Sequence, residues 1–174
     1  MKSHTLLKSV FLSVVTVIFG LTTLAAMAGS TRITGKFSQS YSKQEALPIP
    51  QAQGHVIMLT ESQGSNSSTN GSAYMDGAKV VISEIVDLDR GNGPHQGYVT
   101  QTMPNGDETV THFDGKVTTT MTAEGQPNTT FKGNWKAIRG TGQYSGIKGS
   151  GTYVGRFTSE KDYVVDWKGY YFIQ

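Results

Sequence analysis

The sequence predicts an all-β fold, an antiparallel up-and-down barrel or sandwich, on three observations. From Gly29 onward no stretch keeps apolar residues at helical spacing for three turns, whereas period-two alternation recurs every ten or so residues. Short turns rich in Gly, Pro, Asn and Asp separate the alternating stretches. Between Trp135 and Tyr153, glycines 140, 142, 146, 149 and 151 part an apolar strand ending near Ile138 from another beginning near Thr152. Glycine at that density permits positive φ and close backbone approach, so this segment reads as an elaborate corner rather than a strand.

Ahead of the strands, residues 1–28 have the layout of a secretory signal peptide. Lys2 and Lys8 are the early positive charges, Val10 to Leu24 is mostly apolar, and Ala26-Met27-Ala28 is a small-x-small cleavage pattern. The apolar run is broken by Ser13, Gly20, Thr22 and Thr23, which argues against a retained membrane anchor and for no membrane span after processing. The expected location is exported, periplasmic or extracellular. Residues 29–174 then form a single domain of a size that hides roughly two-thirds of its unfolded surface. Of the 15 basic residues, 13 lie outside the leader, against 13 acidic ones. A near-neutral domain offers no global electrostatic footprint for nucleic acid or anionic membrane. There is no cysteine, so disulfides, thiol catalysis and zinc-thiolate sites are excluded.

Along the chain, Arg32 to Tyr41 reads as the first strand, and Pro48 and Pro50 close any helix attempted after it. His55 to Glu61 is the second strand, and the polar run Ser62 to Gly71 reads as a mobile loop. Asn66, Asn70 and Asn128 each begin an Asn-x-Ser/Thr triplet, which matters only in a glycosylating host. Ala78 to Leu88 is the longest apolar strand; a Gly-Pro turn follows, and His95 to Met103 returns. Asn105-Gly106 supplies a hairpin turn. Glu108 to Phe113, an Asp114-Gly115 turn and Lys116 to Ala123 continue the meander. Thr129 to Ile138 sets Phe131, Gly133, Trp135 and Ala137 on one face against Lys132, Asn134 and Lys136 on the other. After the glycine corner come Thr152 to Thr158 and Tyr163 to Ile173. This makes eight or nine strands, and closing them on themselves removes exposed edges.

The last strand carries bulk on both faces. Tyr163, Val165, Trp167, Tyr171 and Ile173 lie on one side, with Val164, Tyr170 and Phe172 on the other. That pattern suits a wall whose interior is packed or ligand-lined and whose outer aromatics meet another surface.

Three segments carry a family resemblance: Gly54-His55-Val56-Ile57-Met58, the run from Gly91 to Tyr98, and above all Gly140-Thr141-Gly142-Gln143-Tyr144-Ser145-Gly146-Ile147-Lys148-Gly149-Ser150-Gly151. The last is similar to the Gly-x-Gly-x-Tyr/Phe-x-Gly-x-x-Gly corner of the allene oxide cyclase and dirigent-like barrel superfamily. Over most of residues 31–174 the chain resembles the bacterial secreted members of that superfamily. The resemblance implies an eight-stranded antiparallel closed β-barrel with a mainly apolar cavity and, from the plant relatives, a homotrimer. It implies no active site. The cyclases share an early-strand glutamate and a following Arg-x-Ser-Pro segment; the first strand here offers no such pattern, and Glu45 and Pro48 sit nearby in other company.

Candidate chemistry rests on a few residues. Glu84 shares a strand face with Val80, Ile82, Val86 and Leu88; facing a lumen, it is the candidate catalytic acid, and facing outward or paired to a neighbouring lysine it is structural. Tyr98, His112, Trp135, Tyr153 and Trp167 are the candidate ligand-binding residues, since rings give contact area at low entropic cost and polar tips orient a ligand. His95 and His112 lack metal-ligand spacing and Asp87, Asp89 and Asn92 read as turn chemistry, so no metal and no other cofactor is expected. Neither a nucleophile elbow nor a phosphate-binding loop is present. The expected function is binding of a small apolar ligand in the barrel. The alternatives are an isomerase or cyclase acting on an oxidised lipid or phenolic, and a surface structural or interaction protein using Tyr170 and Phe172.

Overall fold

The computed structural model describes residues 29–69, 71 and 73–174; the expected leader, residues 1–28, and Asn70 lie outside them. Eight strands run β1 (Thr31–Pro48), β2 (His55–Ser68), β3 (Lys79–Asp89), β4 (Gly93–Thr102), β5 (Glu108–Met121), β6 (Pro127–Gly140), β7 (Ile147–Phe157) and β8 (Asp162–Ile173). Each pairs antiparallel with the next, and β1 pairs with β8 over Thr31–Ser40, closing the barrel. Among the described residues no helix is long and apolar enough to cross a membrane.

Up-and-down connectivity sorts the turns. Those after β1, β3, β5 and β7 gather at one end; those after β2, β4 and β6 gather at the other with the last residues of the chain. The second end is filled. Tyr74 and Met75, from the β2–β3 connection, are buried there with Tyr144 and Ile147 of the β6–β7 corner. Tyr74 meets the rings of Tyr144, Trp167 and Tyr171 at 5.5, 6.0 and 4.8 Å.

Asn66 ties this plug to the wall. Its amide donates to the carbonyls of Tyr74 at 3.3 Å and Met75 at 2.7 Å, and its carbonyl accepts from Trp167 Nε1 at 3.2 Å. The polar run from Ser62 is therefore not a loop. β2 continues to Ser68, paired with Gly35 to Tyr41 of β1, and Ser62 and Asn66 face inward and are buried. Apolar alternation is missing there because hydrogen bonds, rather than hydrocarbon, satisfy the inner face. Burial also removes Asn66 as a glycosylation acceptor in the folded chain.

Two further expectations are corrected. Asp114-Gly115 is not a turn, because β5 runs unbroken through it, with Gly115 opposite His95 on one side and Gly133 on the other. The glycine corner is shorter than expected: only residues 141–146 leave the sheet, as a 3₁₀ turn (Gly142–Tyr144) and its flanks, and β7 already begins at Ile147. Gly142 adopts φ 53° beneath the Asp107 carboxylate, which a Cβ would overlap. The later glycines serve a different purpose. A Cβ at Gly151 or Gly169 would strike the Trp135 indole, and one at Gly155 would strike the Phe131 ring, so bare backbone makes room for aromatic rings inside the barrel.

A bulge between Tyr41 and Lys43 shifts the phase of β1. Odd residues from Ile33 to Tyr41 face inward before it, and Gln44 lines the lumen after it.

Candidate functional site

Between the plug and the opposite end, the barrel encloses a cavity of about 560 Å³. Exposed Gln44, Pro127, Ser159 and Glu160 line its rim, so it opens to solvent at the end carrying the β1–β2, β3–β4, β5–β6 and β7–β8 turns. Its wall is largely hydrocarbon and aromatic, with Met58, Ile82, Val86, Val99 and Val117 beside nine aromatic side chains.

One polar cluster sits in this wall. β3 and β4 are adjacent antiparallel strands, with Val86 opposite His95 and Glu84 opposite Gly97. Glu84 and His95 are thus diagonal neighbours on the inner face, and a Cβ at Gly97 would crowd the β3 backbone and the Phe113 ring. Glu84 Oε1 lies 2.5 Å from His95 Nδ1, with the His95 side chain 2% exposed and that of Glu84 10%. Thr60 Oγ1, from β2, donates to Glu84 Oε2 at 3.2 Å. On the other side of the imidazole, His95 Nε2 lies 3.0 Å from the Tyr153 hydroxyl of β7. The carboxylate accepts from Nδ1–H, and in the neutral tautomer that this favours Nε2 accepts from the phenol. The result is a continuous Thr60–Glu84–His95–Tyr153 chain. Gly115 makes it possible, since a Cβ there would stand 2.4 Å from the Tyr153 hydroxyl and 2.8 Å from His95 Nε2.

Aromatic rings enclose the cluster. His95 meets Phe113, Phe131 and Tyr153 edge-on at 5.6, 5.7 and 5.8 Å. Phe131 also contacts Phe157 and Tyr163, at 5.9 and 5.6 Å, and Tyr163 in turn contacts Tyr41 at 5.3 Å. Burial pushes the phenols of Tyr41, Tyr153 and Tyr163 well above the ordinary tyrosine range, and the charge of Glu84 adds to the shift in all three. The hydroxyls of the lumen are thereby held protonated. Tyr163 is further engaged by Ser62, 2.5 Å from its hydroxyl.

Against the sequence reading, Glu84 does face the lumen, and its partner is a histidine rather than a lysine. Trp135, Tyr153 and Trp167 line the cavity with it. Tyr98 and His112 do not. They are opposite one another on β4 and β5 with outward parity, their rings 5.2 Å apart, and Tyr98 is 52% exposed. A one-residue change of parity carries a strand residue to the other face of the wall, which places His95 inside and His112 outside. The same parity keeps the two histidines from sharing a site. Asp87, on the outer face of β3, pairs with His55 at 2.5 Å, and Asn92 is spent on the turn, donating to Arg90 O and accepting from Thr119 N. Among the described residues no group of three or more His, Asp or Glu side chains could hold a metal.

His95 is the principal residue of the site that the sequence reading left out of its candidates. The available signal was parity: counted outward from the Asp89–Asn92 turn, Glu84 and His95 fall on the same face of a hairpin.

The fold and site together define an eight-stranded antiparallel barrel with a one-ended, aromatic-lined lumen and a buried glutamate–histidine–tyrosine chain. No family model matches the chain, and no curated protein is similar to it in sequence. Among solved structures it is similar to the pterocarpan synthase dirigent protein GePTS1, with 11% identity and a TM-score of 0.44 over 96% of this chain and 100% of the other. A likeness at that level leaves the function to be argued from the lumen itself.

Proposed function

We propose that the protein is an exported, non-enzymatic binding barrel that takes up a small, mainly apolar ligand through its open end. The carrying observation is the lumen: about 560 Å³, open to solvent at one end, lined largely by hydrocarbon and rings, with the Glu84–His95–Tyr153 cluster in its wall to orient a guest. A volume of that order suits a ligand of drug-like size, and a wall whose side chains are pinned by strand pairing pays little ordering cost on binding. The chain has two tryptophans, Trp135 and Trp167, and both line the cavity. Intrinsic fluorescence therefore reports occupancy directly. Titration with a hydrophobic probe is expected to shift tryptophan emission saturably, and absence of saturable uptake would remove the reading. Export is supported by the leader pattern of residues 1–28; secreted protein beginning at Gly29 is the expected product of N-terminal sequencing.

A second reading is proton-transfer catalysis, isomerisation or cyclisation of an oxidised lipid or phenolic, favoured by the inward position of Glu84 within a hydrogen-bonded chain. Epoxide-bearing lipids or phenolics recovered unchanged in mass and chromatographic retention after prolonged incubation would count against it.

A further inference from the structure

We infer that the lumen selects an organic cation, an apolar body carrying an amine, and discriminates against carboxylates. The inference rests on the binding reading above and deepens it. Its first support is the inventory of charge on the cavity wall: among the described residues it has two carboxylates, Glu84 in the depth and Glu160 at the rim, and no lysine or arginine. Arg90, in the β3–β4 turn at that end, is highly exposed and lies 3.9 Å from Asp89.

The second support is the state of His95. A histidine could in principle receive an anionic ligand, but both ring nitrogens are already engaged, Nδ1 by Glu84 and Nε2 by the Tyr153 hydroxyl. No donor of the imidazole is left to meet a carboxylate. Glu84, by contrast, accepts one hydrogen bond on each oxygen, and each oxygen keeps a second lone pair for a donor arriving from the cavity.

The third support is the company of that carboxylate. Phe131 and Phe113 flank His95, and Tyr41, Phe157 and Tyr163 continue the aromatic wall. Ring faces attract a cation and offer nothing to an anion, and the attraction grows where water is thinned out. An ammonium entering the lumen exchanges water for rings and a carboxylate; a carboxylate entering it meets a like charge, and the imidazole beside that charge has no free N–H to offer it.

The test is a series with one tail and three heads, decylamine, decanol and decanoate, titrated at neutral pH against the full folded chain and followed by tryptophan emission and calorimetry. The expected order is amine tightest, by about tenfold or more over the alcohol, with the carboxylate weakest. In Glu84→Gln, with the fold checked by circular dichroism, the ratio of amine to alcohol affinity should fall towards one. The wild-type series decides the matter even where that variant does not fold. Decanoate binding as tightly as decylamine, or amine and alcohol binding equally, overturns the ligand class while leaving the lumen reading intact. No saturable binding of any of the three overturns both.

Discussion

The two ends of the barrel are built on opposite principles from the same strands. At the plugged end, Tyr74, Met75, Tyr144 and Ile147 fill the interior, and Asn66 makes three hydrogen bonds to hold them there. At the open end the interior is left empty, and the polar groups next to it hydrogen-bond among themselves while keeping lone pairs free. The difference teaches where stability and binding are located: closing one end completely supplies a core that the open end does without.

Removing the plug's anchor should break this division most severely. Asn66→Ala strips two carbonyls and the Trp167 indole of a buried partner, at a cost of about 3 kcal/mol. Urea unfolding should show a lower midpoint, and ligand uptake should weaken only in step with the loss of folded protein. A variant that bound normally at full stability would show that the plug is not what supports the lumen. Gly115→Ala acts at the other site. Its Cβ would lie 2.3 Å from Lys132 O and would intrude on both Tyr153 and His95, so about 2–3 kcal/mol should be lost. Here binding should suffer beyond what stability explains, and comparing the two variants by calorimetry at matched folded fractions sharpens the contrast.

The sequence made the strand count and the direction of β3, β6 and β8 legible because their inner faces are apolar or aromatic, and alternation is visible whenever one face is hydrocarbon. It hid the second half of β2 for the converse reason: Ser62, Gly64 and Asn66 point inward but are polar or bare, so strand and loop look alike in composition. It hid β5's continuity because Asp-Gly is a turn signal by its local conformational freedom, whereas Gly115 is there for the space that it leaves to side chains from β4 and β7. Such contacts between distant strands have no trace in local pattern. Glu84 was found from its apolar neighbours on β3, but the imidazole that completes the site required the register of the next hairpin. Tyr98 and His112 went wrong by parity alone.

Raising the pH tests both ends at once. Burial pushes Tyr74 in the plug up to about 12 and the lumen phenols of Tyr41, Tyr153 and Tyr163 further. In the unfolded chain a phenol ionises near pH ~10. Above that point the unfolded state holds fewer protons than the native state, so stability falls as pH rises. The contribution is fully present below about pH 10 and is lost as the pH climbs from there through the folded values; Tyr74 alone accounts for about 2 kcal/mol by pH 12. Melting temperatures should be flat up to about pH 10 and then drop. Tyr74→Phe should flatten the part of the decline that belongs to the plug and leave the part that belongs to the lumen.

The smallest effect is expected where the barrel's outer face carries the residues that resemble a site most closely in sequence. Tyr98 and His112 pack ring against ring on the outer face, where Tyr98 is exposed, and such a pair is worth ~1 kcal/mol or less. Tyr98→Ser should therefore cost little in urea unfolding and leave the tryptophan response to a lumen ligand unchanged, because neither side chain reaches the cavity. His95, on the same strand as Tyr98 but on the opposite face, should behave in the contrary way: His95→Phe keeps much of the volume and ring contacts but leaves Glu84 and the Tyr153 hydroxyl without their shared partner. If the outer pair altered uptake as strongly as His95 did, the lumen would not be where the ligand sits.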